Sequence, residues 1–129
     1  MLAKEIQATI DNYHYWDARV LSLSCNYFAD EVELIYEDED DFEVVYRFLE
    51  CYKTVFDHVI TYDKFAPVRK MTLPQLPYFL QSVEIGEKVE SDVELYTCKI
   101  NMFPLELEVW CKDIEVIKQK KVKPQPWKS

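Results

Sequence analysis

The feature that most constrains the fold of this chain is an alternation of apolar and polar side chains with a period of two residues. Segment 31–37 reads EVELIYE, so apolar side chains recur at every second position and glutamates occupy most positions between them. Successive side chains of a β-strand point to opposite faces, so this pattern is typical of a strand with one buried and one solvated face. Comparable runs occur at 19–27, 42–57, 82–87, 93–103 and 105–117. The sequence therefore predicts a mainly antiparallel β-sheet of six or seven strands.

Two short segments have a different pattern and predict helix. Leu2, Ile6 and Ile10 are four residues apart, which places them on one stripe of an N-terminal helix, with an edge strand as the alternative. Segment 72–80 predicts a short helical turn, because it begins with a threonine suited to an N-cap and Pro74 falls in the first turn. A sheet with one or two short helices is an α+β domain, and the alternative is an all-β sandwich.

Irregularities are predicted within the two longest strands. Glu50 interrupts the apolar face of segment 42–57, which predicts a bulge or bend there. The alternation of the last strand changes phase after Cys111, so a bulge within 110–113 is needed to keep apolar side chains on the buried face. Residues 28–30 are few enough for a hairpin loop.

Length and composition predict a single domain followed by a tail. A chain of 129 residues fits one domain, which we expect at 1–117, and 118–129 is a basic, proline-containing C-terminal tail with five lysines. The only glycine is Gly86, which excludes the glycine-rich loops of Rossmann and P-loop nucleotide sites. There is no signal-peptide pattern and no apolar run of about 18–20 residues, so we expect a cytoplasmic protein without a membrane partner.

The predicted domain is strongly acidic. The chain has 15 basic and 24 acidic residues, and setting aside the five lysines of the tail leaves 10 basic residues and a net charge of −14 for 1–117. Such a surface repels phosphate groups, so the sequence predicts no nucleic-acid binding. It favours a basic protein as the partner.

The cysteines are scattered, and each falls within an apolar run. They are Cys25, Cys51, Cys98 and Cys111. Free thiols in such runs usually behave as small buried apolar groups. Structural zinc sites use close pairs of cysteines, whereas the smallest gap here contains twelve residues. The sequence therefore predicts a reduced protein with no metal site and no cofactor.

His14, Trp16 and Asp17 form a candidate functional cluster just before the first predicted strand. His14 and Asp17 have the chemistry of a general base with its orienting carboxylate, or of two metal ligands. The structural interpretation is favoured, in which the aromatic rings pack at the sheet edge and Asp17 accepts backbone hydrogen bonds. Because the pair lacks a third partner, the sequence assigns no catalytic residue and favours a protein that is not an enzyme.

A second candidate site is the acidic run between two predicted strands. Its mutual repulsion favours a solvated loop, and it lacks the alternating ligands and the glycine of an EF-hand. Three interpretations compete: an ordinary solvated turn, which is favoured, a weak cation site, and a patch that docks a basic protein. Such a patch would need anchoring aromatic residues beside the acids. The candidate partner-binding residues are Tyr36, Glu37, Asp38, Glu39, Asp40, Asp41 and Phe42.

Residues 16–23 read WDARVLSL. This stretch resembles the opening of small uncharacterised bacterial proteins that include immunity proteins of the Imm50 kind, in which a histidine or aromatic residue, an aspartate and an alanine precede the first strand. Here Tyr15 and Trp16 separate His14 from Asp17, which departs from that pattern. The resemblance covers only the opening of the chain. It implies a β-rich cytoplasmic protein and, within that group, a role in masking a toxin, and it assigns no catalytic residue.

The sequence leaves three functional hypotheses. The favoured one is a non-enzymatic, immunity-type protein whose acidic surface binds a basic protein. The second is a small hydrolase or metal-dependent enzyme centred on His14 and Asp17. The third is a subunit whose exposed aromatic residues form an oligomer interface, although the sequence does not fix the oligomeric state.

Overall fold

A computed structural model describes residues 2–39, 41–59 and 67–121. These residues form one six-stranded antiparallel sheet, one α-helix and two 3₁₀ turns, which confirms the predicted α+β class. The helix is α1 (Ala3–Asn12), and the strands are β1 (Val20–Asn26), β2 (Glu31–Glu37), β3 (Phe42–His58), β4 (Ser82–Glu90), β5 (Val93–Met102) and β6 (Leu105–Lys120). The 3₁₀ turns span Val68–Lys70 and Leu73–Gln75.

The sheet consists of two three-stranded meanders joined along their longest strands. The strand order is β1-β2-β3-β6-β5-β4, and every neighbouring pair is antiparallel. β3 has 17 residues and β6 has 16, and their ladder runs almost from end to end. This pair forms the centre of the sheet and carries side chains of both meanders onto shared faces.

One face of the sheet forms the hydrophobic core. The side chains of Val32, Leu34 and Tyr36 on β2 have no exposed area, as the alternation of this segment predicts. Ile6 and Ile10 of α1 belong to the same cluster, which confirms the predicted N-terminal helix. Apolar side chains from all six strands and from the segment after the 3₁₀ turns complete it. We call this side the core face and the side away from α1 the outer face.

The predicted bulge of β3 and the predicted phase change of β6 are both present, and the register shift of their ladder lies on β3. Glu50 has a φ of 54°, and the register of β3 on β6 shifts between Cys51 and Lys53. In β6 the buried positions change from odd to even residue numbers after Cys111. The alternation of segment 42–57 predicts Tyr52 on the same buried face as Phe48, and this prediction is wrong, because the bulge in β3 turns Tyr52 towards solvent, where it is 55% exposed.

Side chains from the N-terminal region cover the β4 edge of the sheet. Gln7 of α1 donates its Nε2–H to the Val83 carbonyl (2.9 Å) and accepts the Ile85 N–H at Oε1 (2.7 Å). The Tyr15 hydroxyl accepts the N–H of Val83 (3.1 Å). Backbone groups bonded in this way are unavailable for pairing with another strand. At the opposite edge, Cys25 of β1 is exposed, so its predicted burial is wrong.

The connection before β4 contains the predicted helical turn. It is the 3₁₀ turn Leu73–Gln75, and Gln75 Oε1 accepts the N–H of Thr72 (2.8 Å). Arg19, just before β1, donates its Nη1–H to the Leu76 carbonyl (3.0 Å). These bonds fasten the connection against the start of β1.

The last strand continues beyond the residue at which the sequence predicted the tail to begin. β6 runs through Lys120, and the Lys121 N–H donates to the Asp41 carbonyl (2.9 Å). Residues 122–129, which include the prolines of the predicted tail, lie outside the described residues. Among the residues described, no helix has the length and apolarity needed to cross a membrane.

The thiols provide a direct test of this fold. Burial raises the pKa of Cys51 to about 11 and that of Cys111 to about 12, and Cys98 has no exposed area. Because thiols react as accessible thiolates, we expect these three to be inert near neutral pH and the exposed Cys25 to react. Titration with dithionitrobenzoate should detect one fast thiol in the native chain and four after denaturation. Fast reaction of two or more native thiols would contradict the burial described above.

Candidate functional site

The outer face of the sheet is the strongest candidate site, because it carries clusters of charged side chains beside an apolar row formed by Ile35, Val45 and Ile117. Residues between the buried positions of each strand point to this face. The register places them in rows across the sheet, and one row consists of Glu33 on β2, Arg47 on β3 and Glu115 on β6. Carboxylates from strands that are distant in sequence therefore lie side by side.

The first of two acidic clusters on this face surrounds Arg47. Its guanidinium lies 3.0 Å from Glu33, 3.2 Å from Glu115 and 3.7 Å from Glu31. The hydrogen bond with Glu33 is the main cause that raises the pKa of Arg47, so this residue stays charged. One cation cannot balance three carboxylates, so the Arg47 cluster keeps two surplus negative charges. Its acidic side chains are 21–43% exposed and accessible to a partner.

The second cluster lines a groove at the opposite end of the outer face, where β4, β5, β6 and β3 run side by side. The groove encloses about 450 Å³ and is crossed by the row Glu84, Lys99 and Glu108. Its charged lining residues are Asp57, Glu84, Lys99, Glu106 and Glu108. Four carboxylates against one ammonium group leave three surplus negative charges, so the groove is suited to a basic side chain of a partner.

A tryptophan lies between the two clusters. Trp110 donates its Nε1–H to Glu108 (2.9 Å), which holds that carboxylate at the wall of the groove. The ammonium groups of Lys53 and Lys88 lie 4.4 Å and 3.8 Å from the centroid of the indole ring, within the range of a cation–π contact. The outer face is thus acidic at both ends, with two lysines held on an aromatic ring between them.

The predicted partner-binding segment 36–42 connects β2 to β3. Tyr36 is completely buried in the core, so its side chain does not reach a partner. Phe42 is half-buried and Asp41 is exposed, while Asp40 lies outside the described residues. The segment therefore lacks the exposed aromatic residue on each side that a docking patch was expected to have.

Lysines at the end of β6 pair with the acids of this segment. Lys118 Nζ lies 3.0 Å from Asp38 and 3.3 Å from Glu39, and Lys121 Nζ lies 2.9 Å from Glu37. The sequence assigned these lysines to a separate tail, whereas the structure places them against the acidic run. Part of its negative charge is therefore neutralised within the chain.

The predicted cluster of His14, Trp16 and Asp17 occupies the exposed turn between α1 and β1. His14 and Asp17 have φ angles of 51° and 63°. The Trp16 ring stacks on Tyr15 at a centroid distance of 4.3 Å and lies 6.4 Å from the His14 ring. The Asp17 N–H donates to the Leu80 carbonyl (2.8 Å), which fixes the turn to the sheet edge. The structure thus brings the three residues together at an aromatic corner.

Sequence reasoning missed a small apolar cavity beside the other histidine. His58 Nε2 and the Tyr78 hydroxyl are 2.6 Å apart, next to a cavity of about 240 Å³ whose lining includes Met102 and Leu105. The described lining does not include His14, so this cavity does not unite the two histidines. No local signal connects His58 with Tyr78, because the contact depends on how the connection folds back on the sheet.

Sequence reasoning also missed the outer-face groove. The available signal was the alternation of Glu106 and Glu108 with apolar residues in the last predicted strand. That alternation indicated only that one face of the strand is solvated. Within residues 2–39, 41–59 and 67–121, no group of three or more histidine, cysteine, aspartate or glutamate residues is placed to hold a metal ion.

Comparison with known proteins supports a family assignment. The model of a family described as Immunity protein PIM7 matches residues 2–118 of this chain. No curated protein matches the chain. The matched region contains the helix, nearly the whole sheet and both acidic clusters of the outer face.

Proposed function

The chain belongs to the immunity protein PIM7 family, and we propose that it is a non-enzymatic immunity protein that masks a basic surface of a protein toxin with the outer face of its sheet. Membership confirms the resemblance to immunity proteins, while the specific resemblance to Imm50 is not confirmed because the matching family is PIM7. The observation that carries the proposal is the excess of carboxylates over cations in the Arg47 cluster and in the groove.

Surplus charge on one face has a kinetic consequence. Carboxylates that are not balanced by a neighbouring cation attract basic side chains over roughly a Debye length, about 8–10 Å at physiological salt. This attraction raises the rate at which a basic protein meets the face in a productive orientation, and it disfavours acidic proteins. Fast, selective capture is the property that a toxin-masking protein needs.

The groove supplies fixed positions for specific contacts. Its carboxylates come from different strands, with Asp57 on β3, Glu84 on β4 and Glu106 on β6. Hydrogen-bonded ladders hold these strands in place, so a lysine or arginine of the toxin would meet acceptors whose positions are already set. Binding then has to order the carboxylate side chains but little of the backbone.

The acidic segment 37–41 serves in this proposal as a secondary contact. It adjoins the outer face at the end of β2 and adds to the negative field there, although Lys118 and Lys121 reduce its share. We also propose a cytoplasmic location, because all four cysteines are free and thiols persist in a reducing compartment.

The test measures the binding of the full-length chain to the toxin encoded beside its gene, in an inactivated form, by calorimetry at 50 and 300 mM NaCl. Removing two groove charges with Glu84→Gln and Glu106→Gln should weaken binding about tenfold at 50 mM NaCl and less at 300 mM, since salt screens exposed charges. Both residues are exposed, so we expect the fold to be unaffected.

The matched control removes the same two charges elsewhere. Asp92→Asn with Glu94→Gln changes exposed residues at the β4–β5 turn, at the other end of these strands, and should weaken binding less than about threefold. Equal losses in the two double variants would show that only net charge matters. A wild-type affinity that is indifferent to salt would refute the acidic-face mechanism, and absence of binding would refute toxin masking by this chain.

A further inference from the structure

The turn between β1 and β2 carries the most exposed aromatic side chains among the described residues. Phe28 is 108% exposed, as open as in an extended peptide, and Tyr27 is 75% exposed. The turn closes with a hydrogen bond from the Asp30 N–H to the Tyr27 carbonyl (3.1 Å). Side chains that remain in water contribute no burial energy to folding, so the stability of the fold does not explain these two aromatic residues.

The backbone of this turn is strained. Tyr27, Phe28 and Ala29 have φ angles of 53°, 56° and 70°. Residues with a Cβ are disfavoured in this region, where glycine or asparagine is the usual choice. Phe28 thus occupies a position at which glycine would suit the fold better. Strain of this kind is concentrated at functional sites, where another requirement selects the residue.

The turn adjoins the Arg47 cluster of the outer face. The Asp30 carbonyl accepts the N–H of Cys51 (2.9 Å), which fixes the turn to β3. Glu31, the next residue along the chain, is one of the three carboxylates around Arg47. Two protruding aromatic side chains and a surplus of negative charge therefore occupy the same end of the sheet.

We propose that Tyr27 and Phe28 form an aromatic anchor that inserts into an apolar pocket within the basic surface of the toxin. This inference rests on the proposed function and extends it from a charged face to a defined contact. Basic residues around such a pocket would complement the flanking acids, Asp30 and Glu31. Buried aromatic residues supply most of the affinity of many interfaces, and neighbouring charges mainly speed the encounter.

The test separates binding from stability, because the two should respond differently to one substitution. Phe28→Gly removes the anchor and relieves the backbone strain, so the melting temperature should stay the same or rise. Binding to the inactivated neighbouring-gene toxin should weaken about 10- to 30-fold, and the loss should persist at 300 mM NaCl because apolar contacts are not screened. A role confined to the structure of the turn predicts unchanged binding.

Two further variants separate the aromatic side chain from the shape of the turn. Ala29→Gly relieves strain at the neighbouring position while keeping both aromatic residues, so its affinity should equal that of the wild type. Phe28→Tyr keeps an aromatic ring and should retain most of the affinity. A similar loss in Ala29→Gly and Phe28→Gly would overturn the inference, because turn geometry would then be the cause.

The remaining outcomes distinguish the two proposals. If the wild-type chain binds the toxin and Phe28→Gly binds equally well, the aromatic anchor is refuted and the acidic face stands. If the wild-type chain does not bind the toxin, the proposed function is refuted. Sedimentation provides the last check: a wild-type dimer that Phe28→Gly converts to a monomer would identify a second copy of this chain as the occupant, against the inference.

Discussion

Replacing Phe48 with alanine is expected to lower the free energy of unfolding by about 3–5 kcal/mol, the usual cost of truncating a buried aromatic residue. Phe48 is 1% exposed and lies on the central strand β3, between Val32 of β2 and Ile114 of β6. Ladders on both sides hold these strands in place, so the cavity left by the ring cannot close by a small shift. Urea unfolding followed by circular dichroism measures the loss.

The matched control is Phe103→Ala, because Phe103 lies at the turn between β5 and β6 and is 68% exposed. We expect its effect to remain within about 0.5 kcal/mol, as for most surface substitutions. Domains are stabilised by only about 5–15 kcal/mol in total, so Phe48→Ala should remove a large share. A loss below about 1 kcal/mol would contradict the burial of Phe48 at the centre of the sheet.

The strands and their irregularities were predictable because their causes are local. The buried positions of β2 follow directly from the alternation in segment 31–37. The same applies to the bulge beside Glu50, where a carboxylate would otherwise point into the core. In each case, burying a charged side chain would cost free energy. The neighbouring residues in sequence already define which face of the strand is buried, so this cost can be recognised from the sequence.

The groove was not predictable, because its residues meet only through the pairing of distant strands. Asp57, Glu84 and Glu106 lie far apart in the chain, and the order β3-β6-β5-β4 brings them to one cavity. Likewise, the sequence predicted that Lys118 belongs to a tail, whereas the β3–β6 ladder places it beside Asp38. Alternation identifies the face of a side chain and leaves its neighbours across the sheet undetermined.

Only residues 28–30 of the aromatic turn were predicted as a hairpin loop, and Tyr27 was expected to belong to the first strand, which ends at Asn26. Positive φ angles are normally inferred from glycine or asparagine, and Tyr27, Phe28 and Ala29 carry no such signal. The long-range bond between the Asp30 carbonyl and the Cys51 N–H helps to fix this geometry. Residue preferences are averages over many contexts, and a tertiary contact overrides them most readily at sites under functional constraint.

Replacing Arg47 with methionine is expected to destabilise the fold by about 2 kcal/mol at pH 7, less than for a fully buried ion pair because the site is partly exposed. The substitution preserves most of the aliphatic volume and leaves Glu31, Glu33 and Glu115 without their shared cation. Like charges held together in the folded state repel one another, whereas in the unfolded chain they separate.

The sign of the pH dependence distinguishes repulsion from lost packing. In the variant, the folded state takes up protons more readily than the unfolded state, so its stability relative to wild type falls as pH rises. Glutamates in model peptides titrate near pH 4.3, so the deficit should shrink between pH 7 and about pH 4. Urea unfolding at several pH values measures this trend. Arg69→Met, which removes the same charge from an exposed 3₁₀ turn, should show little deficit at any pH.

The same variant should bind the toxin faster. Loss of Arg47 raises the surplus negative charge of its cluster from two to three, which strengthens the attraction of a basic partner at low salt. Stability and association rate should therefore change in opposite directions. Arg47 stabilises the fold by pairing with carboxylates that would attract a basic partner more strongly if they were unpaired.

A deficit in stability that is the same at every pH would show instead that Arg47 acts through the packing of its aliphatic stem.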